Sequence, residues 1–564
     1  MTLLLGLVAL CAGFLLPGHY PPWVSFEQQA LAALGAGLVG AAALTSNGAR
    51  PLRLPTIAAL VFAVAAIPWV QWLCGQIGFL SDALLSSLYL IGLGLCIVAG
   101  ATLVATRRAD FLDGLGAALI TAGLVSTGLA MLQWLGLHWS IFVIDLRPGG
   151  RPYANLGQPN HLATLLALSV MATLRAYEQR RMSAPVAALA VAWFGFGMVM
   201  TQSRTGWLFV VLLALWWAVM RRRAGLRLPA VAVAAGALAF FSAVLAWDPL
   251  NDWLLLSSGT LEARLQTGLR WLHWQTLWDA AWRSPWVGYG WSQVVLAQQA
   301  AVLDHRASGE WLLSSHSLLL DLLLWNGIPL GALLAAALVA WFVSRVRACR
   351  SVDAWALLAA VGAVFLHAML EYPLDYAYFL LPLGLLMGAS AGLDEQARLW
   401  ALPRSAFAVS LALMIGMLAW VSLEYLHVQE SARQLRFVMA RIGIDRVPEA
   451  PVPDVVLLDF PREFHRYWLT PAGRGMSPQQ LDWMRRVSQR HAIPPAMLRY
   501  AMAAGLNGRA QEATDTLARL CKMHPVKRCE EGRDSWRDLQ RQYPELGSIA
   551  FPTAPPVAAP LGRR

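Results

Sequence analysis

Few side chains in this apolar sequence could carry out acid–base chemistry, and the most suggestive of them is His316. It follows Ser314 and Ser315, where a long polar segment (residues 248–312) gives way to a new apolar run. An imidazole has an ordinary pKa of about 6.5, so it can take up or release a proton near neutral pH. A single histidine is more often structural than catalytic. His316 is therefore a candidate general base if substrate-binding groups accompany it.

Three arginines are placed where they could bind an anion. Arg204 lies in the short phrase TQSRTGW (201–207) between two apolar segments, where a solvated charge is hard to accommodate. Arg264 and Arg270 lie in the long polar segment, and lipid phosphate is the alternative partner for both. A guanidinium keeps its charge and makes paired hydrogen bonds to phosphate oxygens. These arginines predict a site for a membrane-embedded diphosphate.

A turn rich in glycine and proline, residues 147–168, places polar side chains where the next apolar helix begins. Its amides and imidazole belong to Asn155, Gln158, Asn160 and His161. Such groups are costly beside hydrocarbon unless they are paired, and a helix N-terminus attracts anions. An anion- or sugar-binding site is favoured over a simple capped turn, because a cap such as Asn160 needs only one polar residue. Arg151 binds an anionic ligand or pairs with Asp145, Asp248 or Glu262.

A second polar turn interrupts the apolar sequence within HAMLEYPLDYAYFLLPLG (367–384). Pro373 marks the turn, and Glu371 and Tyr372 precede it. The carboxylate of Glu371 could pair with an arginine or hold a sugar, and tyrosines here are typical of an interfacial belt. We include Glu371 and Tyr372 among the candidate substrate-binding residues.

The elements that must position these residues are membrane helices. Of the 564 residues, 57% are hydrophobic and 14% are charged, whereas soluble domains carry about 25% charged residues. Recurrent apolar runs predict an all-α polytopic membrane protein with about 12 or 13 spans, one of them at 313–343. The first run, residues 3–16, has no basic flank and no clear cleavage site, so we expect a retained helix.

The net charge of +11 comes mainly from arginine. With the N-terminus inside, most arginines of the short loops fall on the cytoplasmic side, as the positive-inside rule requires. An odd number of spans then places the polar segment 248–312 and the tail on the outer side. No nucleic-acid-binding module is recognisable, so the basic charge does not indicate a nucleic-acid partner.

Within the polar segment, residues 261–282 are predicted to form a helix that lies in the membrane interface. Its tryptophans recur at helical spacing and predict one aromatic stripe, formed by Trp271, Trp274, Trp278 and Trp282. A packing face or a membrane face is favoured over a substrate platform. Ser284 to Gly290 then forms a turn rich in proline and glycine.

The chain divides into a transmembrane catalytic domain (1–426), which includes the large loop 248–312, and a polar helical tail (427–564). One helical hairpin in the tail resembles a tetratricopeptide unit. Cys521 and Cys529 could form a disulfide if the tail is outside the cytoplasm. No Cys/His spacing predicts a zinc site, no Asp-x-Asp pair predicts a metal-dependent sugar-nucleotide enzyme, and no P-loop is present. We expect neither a metal nor a cofactor.

The sequence resembles the bacterial O-antigen ligase superfamily, and most of all its PglL-type protein O-oligosaccharyltransferases. The resemblance covers about residues 19 to 388, in the order of that family. It is carried by HYPPWVSF (19–26), ANLGQPNHLATLL (154–166), TQSRTGW (201–207), SPWVGYGW (284–291), SSHSLLLDLLLWNGIP (314–329) and LEYPLDYAYFLLPLGLLMG (370–388).

The resemblance implies roles for several residues. Arg204 resembles the arginine that binds diphosphate, and one of Arg264 and Arg270 resembles the loop arginine with the same task. His316 resembles the histidine that activates the acceptor hydroxyl. The sequence departs from the family at Ser317, where asparagine is usual, and before Gly327, where an acidic residue is missing.

The expected function is en bloc transfer of an oligosaccharide from a polyprenyl (undecaprenyl) diphosphate to Ser or Thr hydroxyls of pilin-like proteins. The expected partners are therefore the lipid-linked donor, the acceptor protein and membrane lipids. The expected location is the bacterial inner membrane, with the site and the tail on the periplasmic side. An O-antigen ligase acting on lipid A core and an O-antigen polymerase are alternatives. A transporter of lipid-linked glycans is more remote, because the polar motifs gather at one boundary and no internal repeat is visible.

Overall fold

The computed structural model describes residues 1–18, 20–46, 48, 50–137, 140–147, 149–256, 269–394, 399–440 and 452–553. Helices dominate this part of the chain, and its one sheet pairs two short antiparallel strands, β1 (Leu52–Pro55) and β2 (Leu399–Leu402). The predicted all-α polytopic class is confirmed.

The helices of the membrane region follow one another along the chain. They are α1 (Thr2–Leu15), α2 (Phe26–Ser46), α3 (Thr56–Val64), α4 (Ile67–Leu73), α5 (Leu80–Thr106), α6 (Arg108–Trp134), α7 (Pro159–Glu178), α8 (Ala184–Thr201), α9 (Arg204–Ala224), α10 (Ala230–Leu245), α11 (Trp247–Trp253), α12 (Arg270–Arg283), α13 (Val294–Ala301), α14 (Leu318–Asn326), α15 (Ile328–Ala348), α16 (Val352–Ala368), α17 (Ala377–Gly392) and α18 (Arg404–Ala440). The tail adds α19 (Asp459–Leu469), α20 (Pro478–Arg490), α21 (Pro494–Leu506), α22 (Ala510–Met523) and α23 (Val526–Gln542).

Within the described ranges, eight helical segments are long and apolar enough to cross a membrane, or nine if α10 and α11 form one bent span. The sequence predicted about 12 or 13. Part of the difference is helix length, because α1, α16 and α17 are apolar but have only 14, 17 and 16 residues. Helix α7 has 20 residues, but polar side chains interrupt it.

The predicted single span at 313–343 is wrong, because the chain breaks at Gly327 between α14 and α15. Gly327 has a φ of +79°, which a side chain rarely tolerates. A Cβ at this position would lie 2.5 Å from the carbonyl oxygen of Trp286. The backbone N–H of Ile328 donates a hydrogen bond to the carbonyl of Pro285 at 2.7 Å. The turn at 284–290 therefore occupies the space that a continuous helix would need.

The chain divides into two compact units, and the first comprises Met1–Ala65, Leu88–Leu265 and Leu338–Ser422. Helices α1 and α2 approach closely at Gly6 and Gly35, where a Cβ on either would lie 2.8 Å from the other's carbonyl oxygen. Asp353 at the start of α16 binds two arginines, Arg175 of α7 at 2.7 Å and Arg108 of α6. This buried carboxylate joins three helices.

The second unit comprises Ala66–Ser87, Gln266–Ala337 and Leu423–Arg564. Here the described tail helices pack on the loop helix α13, because Val295 and Val302 share one apolar core with Leu520 and Cys529. The side-chain ammonium of Lys522 donates hydrogen bonds to the carbonyls of Leu303 and His305 at 2.5 and 2.7 Å. The tail and this loop are therefore one folded body.

Two polar contacts tie the tail to the start of α5 in the second unit. Asp459 accepts hydrogen bonds from the backbone N–H groups of Leu80 and Ser81, both at 2.8 Å. Arg490 makes a buried ion pair with Asp82 at 2.7 Å. Cys521 and Cys529, for which the sequence left a disulfide open, are joined by one, and it connects α22 to α23.

Candidate active site

In the first unit, three segments that are distant in sequence meet around Asn160. Its amide nitrogen donates to Glu371 Oε1 at 3.1 Å, and its amide oxygen accepts from the hydroxyl of Ser203 at 2.6 Å. Beside it, the amide of Gln158 donates to the hydroxyl of Tyr372 at 2.6 Å. The structure thus brings together four predicted site residues and adds Ser203. We call these five residues the amide cluster.

Ser203 was missed in the sequence, although its position carried a signal. It is the N-cap of α9, and its hydroxyl accepts the backbone N–H of Gly206 at 3.3 Å. A serine just before an apolar helix is the usual cap. Asn160 is not a cap, which corrects the simpler interpretation of its turn, because Gln158 holds that position for α7 and Pro159 follows it.

Arg204 is the first residue of α9 and is exposed to solvent. Its neighbour Ser203 binds Asn160, so the guanidinium extends from the backbone next to the amide cluster. Among the residues that the structure describes, no carboxylate forms an ion pair with Arg204. A helix N-terminus carries partial positive charge, which adds to that of the guanidinium. The arrangement suits an anionic ligand.

Arg151 reaches the same region. Its Nη1 lies 3.4 Å from the carbonyl oxygen of Gln202, two residues before Arg204. Gln202 has a φ of +48°, and this left-handed residue ends α8 and leads into α9. Arg151 therefore lies near the start of α9, the helix that Arg204 begins.

Asn155 and His161 are placed in the interior. The amide of Asn155 donates to the carbonyls of Leu15 and Phe142 at 2.7 and 2.8 Å, and its oxygen accepts from Ile144 N–H at 3.1 Å. His161 is fully buried, with its ring 4.6 Å from that of Tyr376. The geometry makes both residues supports of the turn, and the structure does not bring them into the amide cluster.

In the second unit, His316 lies in a segment whose backbone is fixed by neighbouring groups. His316 has a φ of +58°, a conformation that is uncommon outside glycine. The buried carboxylate of Asp321 accepts from the hydroxyl of Ser314 at 2.9 Å and from Ser315 N–H at 2.8 Å. The N–H of His316 donates to the hydroxyl of Ser314 at 3.1 Å. Strained residues held in this way are often found at active sites.

Helix α12 brings Arg270 and a second histidine to this segment. Trp274 Nε1 donates to the carbonyl of Ser315 at 2.9 Å, which places α12 against the residue before His316. His273 is only 3% exposed. Its pKa is lowered to about 4 by burial, and by the nearby charges of His316 and Arg270. The three side chains are therefore electrostatic neighbours.

His273 was missed because nothing in its sequence context marks it. Its Nε2 lies 3.3 Å from Glu310 Oε2, an approach that would favour the charged imidazolium. The lowered pKa favours the neutral ring. Burial outweighs the attraction of Glu310, because that carboxylate is half-exposed and its field is weakened by solvent. Arg264 lies outside the described residues.

The predicted tryptophan stripe needs one correction. Trp271, Trp278 and Trp282 are exposed on one face of α12, but Trp274 turns away to bind Ser315. Trp274 follows Trp271 by three residues, which is about 300° around a helix, so it lies at the edge of the stripe. That edge faces the His316 segment.

The site residues fall within regions that match known sequence families. The profile described as O-Antigen ligase matches residues 189–335, which include Arg204, Arg270 and His316. The profile described as Protein glycosylation ligase matches 152–174, which includes Gln158 and Asn160. A third, described as Virulence factor membrane-bound polymerase, C-terminal, matches residues 355–537.

Two curated relatives from Acinetobacter baylyi decide the family. The chain is 30% identical over 539 residues to a general O-oligosaccharyltransferase, which covers 93% of this chain and 92% of the relative. This chain belongs to the O-antigen ligase family. It is also 26% identical over 391 residues to a ComP-specific O-oligosaccharyltransferase, covering 69% of this chain and 70% of that relative. Within the family, the chain is thus an O-oligosaccharyltransferase-like glycosyltransferase of the membrane, with several spans.

Proposed function

We propose that this glycosyltransferase transfers an oligosaccharide en bloc from polyprenyl (undecaprenyl) diphosphate to Ser or Thr hydroxyls of a pilin-like protein. The reaction takes place at the periplasmic side of the inner membrane, and the tail (427–564) lies on that side. The observation that carries the proposal is the amide cluster next to Arg204, at the start of α9. A charged residue and a cluster of polar side chains at the end of a membrane span suit a lipid-linked anion with a sugar attached.

Donor binding is assigned to arginines and the amide cluster. Arg204 and Arg270 bind the diphosphate through charge-assisted hydrogen bonds, and Arg264 is the other loop candidate. Arg151 adds positive charge near Arg204. Glu371 and Tyr372 hold the amides of Asn160 and Gln158 in place, so these groups can meet phosphate oxygens or the first sugar. Asn155 and His161 support the turn that presents them.

The oligosaccharide is then transferred in a single displacement step. The acceptor oxygen forms a bond to the anomeric carbon while the bond from that carbon to the phosphate oxygen breaks. The electron pair of the broken bond stays on the diphosphate, where Arg204 and Arg270 stabilise the growing charge. His316 accepts the proton of the acceptor hydroxyl. Because the diphosphate is a good leaving group, the reaction needs neither a general acid nor a metal.

The proposal is tested by co-expression in a bacterium that lacks its own ligase, makes a lipid-linked glycan and carries a candidate pilin. Wild type should increase the mass of the pilin by one glycan. His316→Ala should reduce transfer by at least about 10²-fold, since loss of a catalytic group typically costs this much. His305→Ala is the matched control, because His305 lies in the same polar segment and pairs with Asp279. Near-normal transfer by a well-expressed His316→Ala would contradict the assignment.

A ligase or polymerase acting on another acceptor is the second candidate, favoured by the polymerase profile over residues 355–537. The co-expression strain described above distinguishes this alternative from transfer to a protein. Glycan on lipid A core, or longer glycan chains, with an unmodified pilin would support this alternative and contradict the protein acceptor.

A further inference from the structure

Helix α12 leaves a row of large aromatic side chains uncovered. Trp271, Trp278 and Trp282 are 60%, 50% and 59% exposed, and Trp286 in the following turn is 78% exposed. The first three are separated by 7 and 4 residues, so they lie within about 40° of one another around the helix. We call these four residues the tryptophan face. Exposed apolar patches of this kind usually mark a partner surface.

Backbone contacts fix the end of this face to the ends of two membrane spans. Ile328 N–H, at the start of the span α15, donates to the carbonyl of Pro285. The amide of Gln76, just beyond the span Thr56–Leu73, donates to the carbonyl of Val287 at 2.7 Å. Gln71, in the last turn of that span, accepts from Trp291 N–H at 2.8 Å. The turn that carries Trp286 is therefore level with the boundary where two spans end.

Two charged residues in the second half of α12, Asp279 and Arg283, lie beside the tryptophan face and pair with each other. Arg283 binds Asp279 and Asp304, each at 2.7 Å, and His305 binds Asp279 at 2.9 Å. These groups occupy one flank of the helix, while His273, Leu277 and Ala280 are buried on the opposite side. The exposed face thus presents indole rings beside an ion network, which is the pattern of an interfacial helix.

We propose that the tryptophan face is a lipid-binding surface that lies in the interfacial layer of the membrane. Indole rings favour this layer because they combine a large apolar surface with one N–H donor. The same helix carries Trp274, which binds the carbonyl before His316. The lipid contact therefore fixes the depth of His316 relative to the membrane surface, where the diphosphate of a lipid-linked donor lies. This last step rests on the proposed function, whereas the lipid contact itself does not.

The lipid contact is tested with a spin label in vesicles of phosphatidylethanolamine and phosphatidylglycerol. The label is placed by Trp282→Cys, with the unpaired cysteines replaced by alanine at Cys11, Cys74, Cys96 and Cys349. Leu333→Cys in the span α15 gives the bilayer reference, and Arg306→Cys, an exposed charge of the same polar segment, gives the water reference. The ratio of oxygen to nickel-chelate accessibility at 282 should be several-fold above that at 306. An equal ratio, or a label buried from both reagents by a protein partner or a second copy, would overturn the proposal.

The functional consequence has its own test. Trp278→Ser combined with Trp282→Ser should lower transfer about tenfold in vesicles and less than about twofold in detergent, where no bilayer defines a level. Trp253→Ser, at another exposed tryptophan, is the control. An equal loss in both media would mean that the tryptophans support the fold. Absence of transfer by wild type would contradict the proposed function and leave the spin-label result unaffected.

Discussion

The indole Nε1 of Trp274 lies 2.9 Å from the carbonyl oxygen of Ser315 and donates a hydrogen bond to it. The next residue is His316, whose left-handed backbone costs about 1–3 kcal/mol and persists because its surroundings enforce it. Trp274 and the buried Asp321 are the side chains that hold this segment from two sides. The position of the candidate base thus depends on a residue 42 positions earlier in the chain.

Trp274→Phe keeps an aromatic ring, although a smaller one, and removes the N–H donor. We expect the turnover number to fall about tenfold with little change in KM, because a displaced base affects the chemical step more than binding. Steady-state transfer to the acceptor measures both constants. Trp253→Phe, at an exposed tryptophan outside the tryptophan face, is the control and should be near normal. A rise in KM with unchanged turnover would contradict the positioning role.

Arg204→Ala should reduce transfer by about 10²–10³-fold, since it removes a donor that stabilises the leaving charge. Arg204→Lys should recover only part of the loss, because an ammonium cannot make the paired contacts of a guanidinium. The rate with lipid-linked donor below its KM is the measurement. Arg222→Ala, at an exposed arginine in the last turn of the same helix, is the control. Full activity of Arg204→Lys would show that charge alone suffices.

Asn160 and Glu371 should act as a unit. Asn160→Ala and Glu371→Ala each remove one partner of the 3.1 Å contact, so the double variant should lose less than the product of the two single losses. We expect each single change to raise the KM for donor about tenfold, because the amide of Asn160 is either removed or loses the carboxylate that orients it. Initial rates at varied donor concentration complete the cycle. Independent effects that multiply would mean that the contact does not matter for catalysis.

Stability should fall in mild acid because of His273. Its folded pKa of about 4 is below its ordinary value of 6.5, so unfolding takes up a proton between these limits. The contribution of neutral His273 to the free energy of unfolding is complete above about pH 6.5 and is lost as the pH falls toward 4. His273→Gln should flatten the drop in Tm between pH 7 and 4.5. His305→Gln is the control. The pKa of the buried His491 is also lowered to about 4, so His491 contributes a similar acid sensitivity. That contribution is present in wild type and in both variants, because neither substitution changes His491.

The sequence predicted the polar groups of the site better than their partners. His316, Arg204 and Asn160 could be chosen because charged or polar residues at the ends of apolar helices need a reason to be there. The bond from Asn160 to Glu371 could not be predicted, since 211 residues separate the two and only helix packing brings them together. The interior placement of Asn155 had the same cause, because its partners include Leu15 at the end of α1.

Local geometry explains the remaining features that the sequence did not predict. The break at Gly327 carries a short local signal, the Asn-Gly pair and Pro329, which the long apolar runs on both sides outweighed. The turn that fills the space lies 40 residues earlier, and the sequence does not show that the two meet. The inward turn of Trp274 was hidden because spacings of three and four residues look alike in a stripe. His273 could be recognised only by its burial, which periodicity along a polar helix does not give.

The shared core of the tail and the loop helix α13 has a consequence for how the enzyme comes into being. A ribosome finishes the sequence of His316 more than 200 residues before it finishes Cys529, yet Val295 and Val302 reach their final neighbours only when Leu520 and Cys529 exist. Chains that stop early therefore expose the unfinished side of α13. The loop around α13 therefore completes its packing only after the tail helices α22 and α23 have been made.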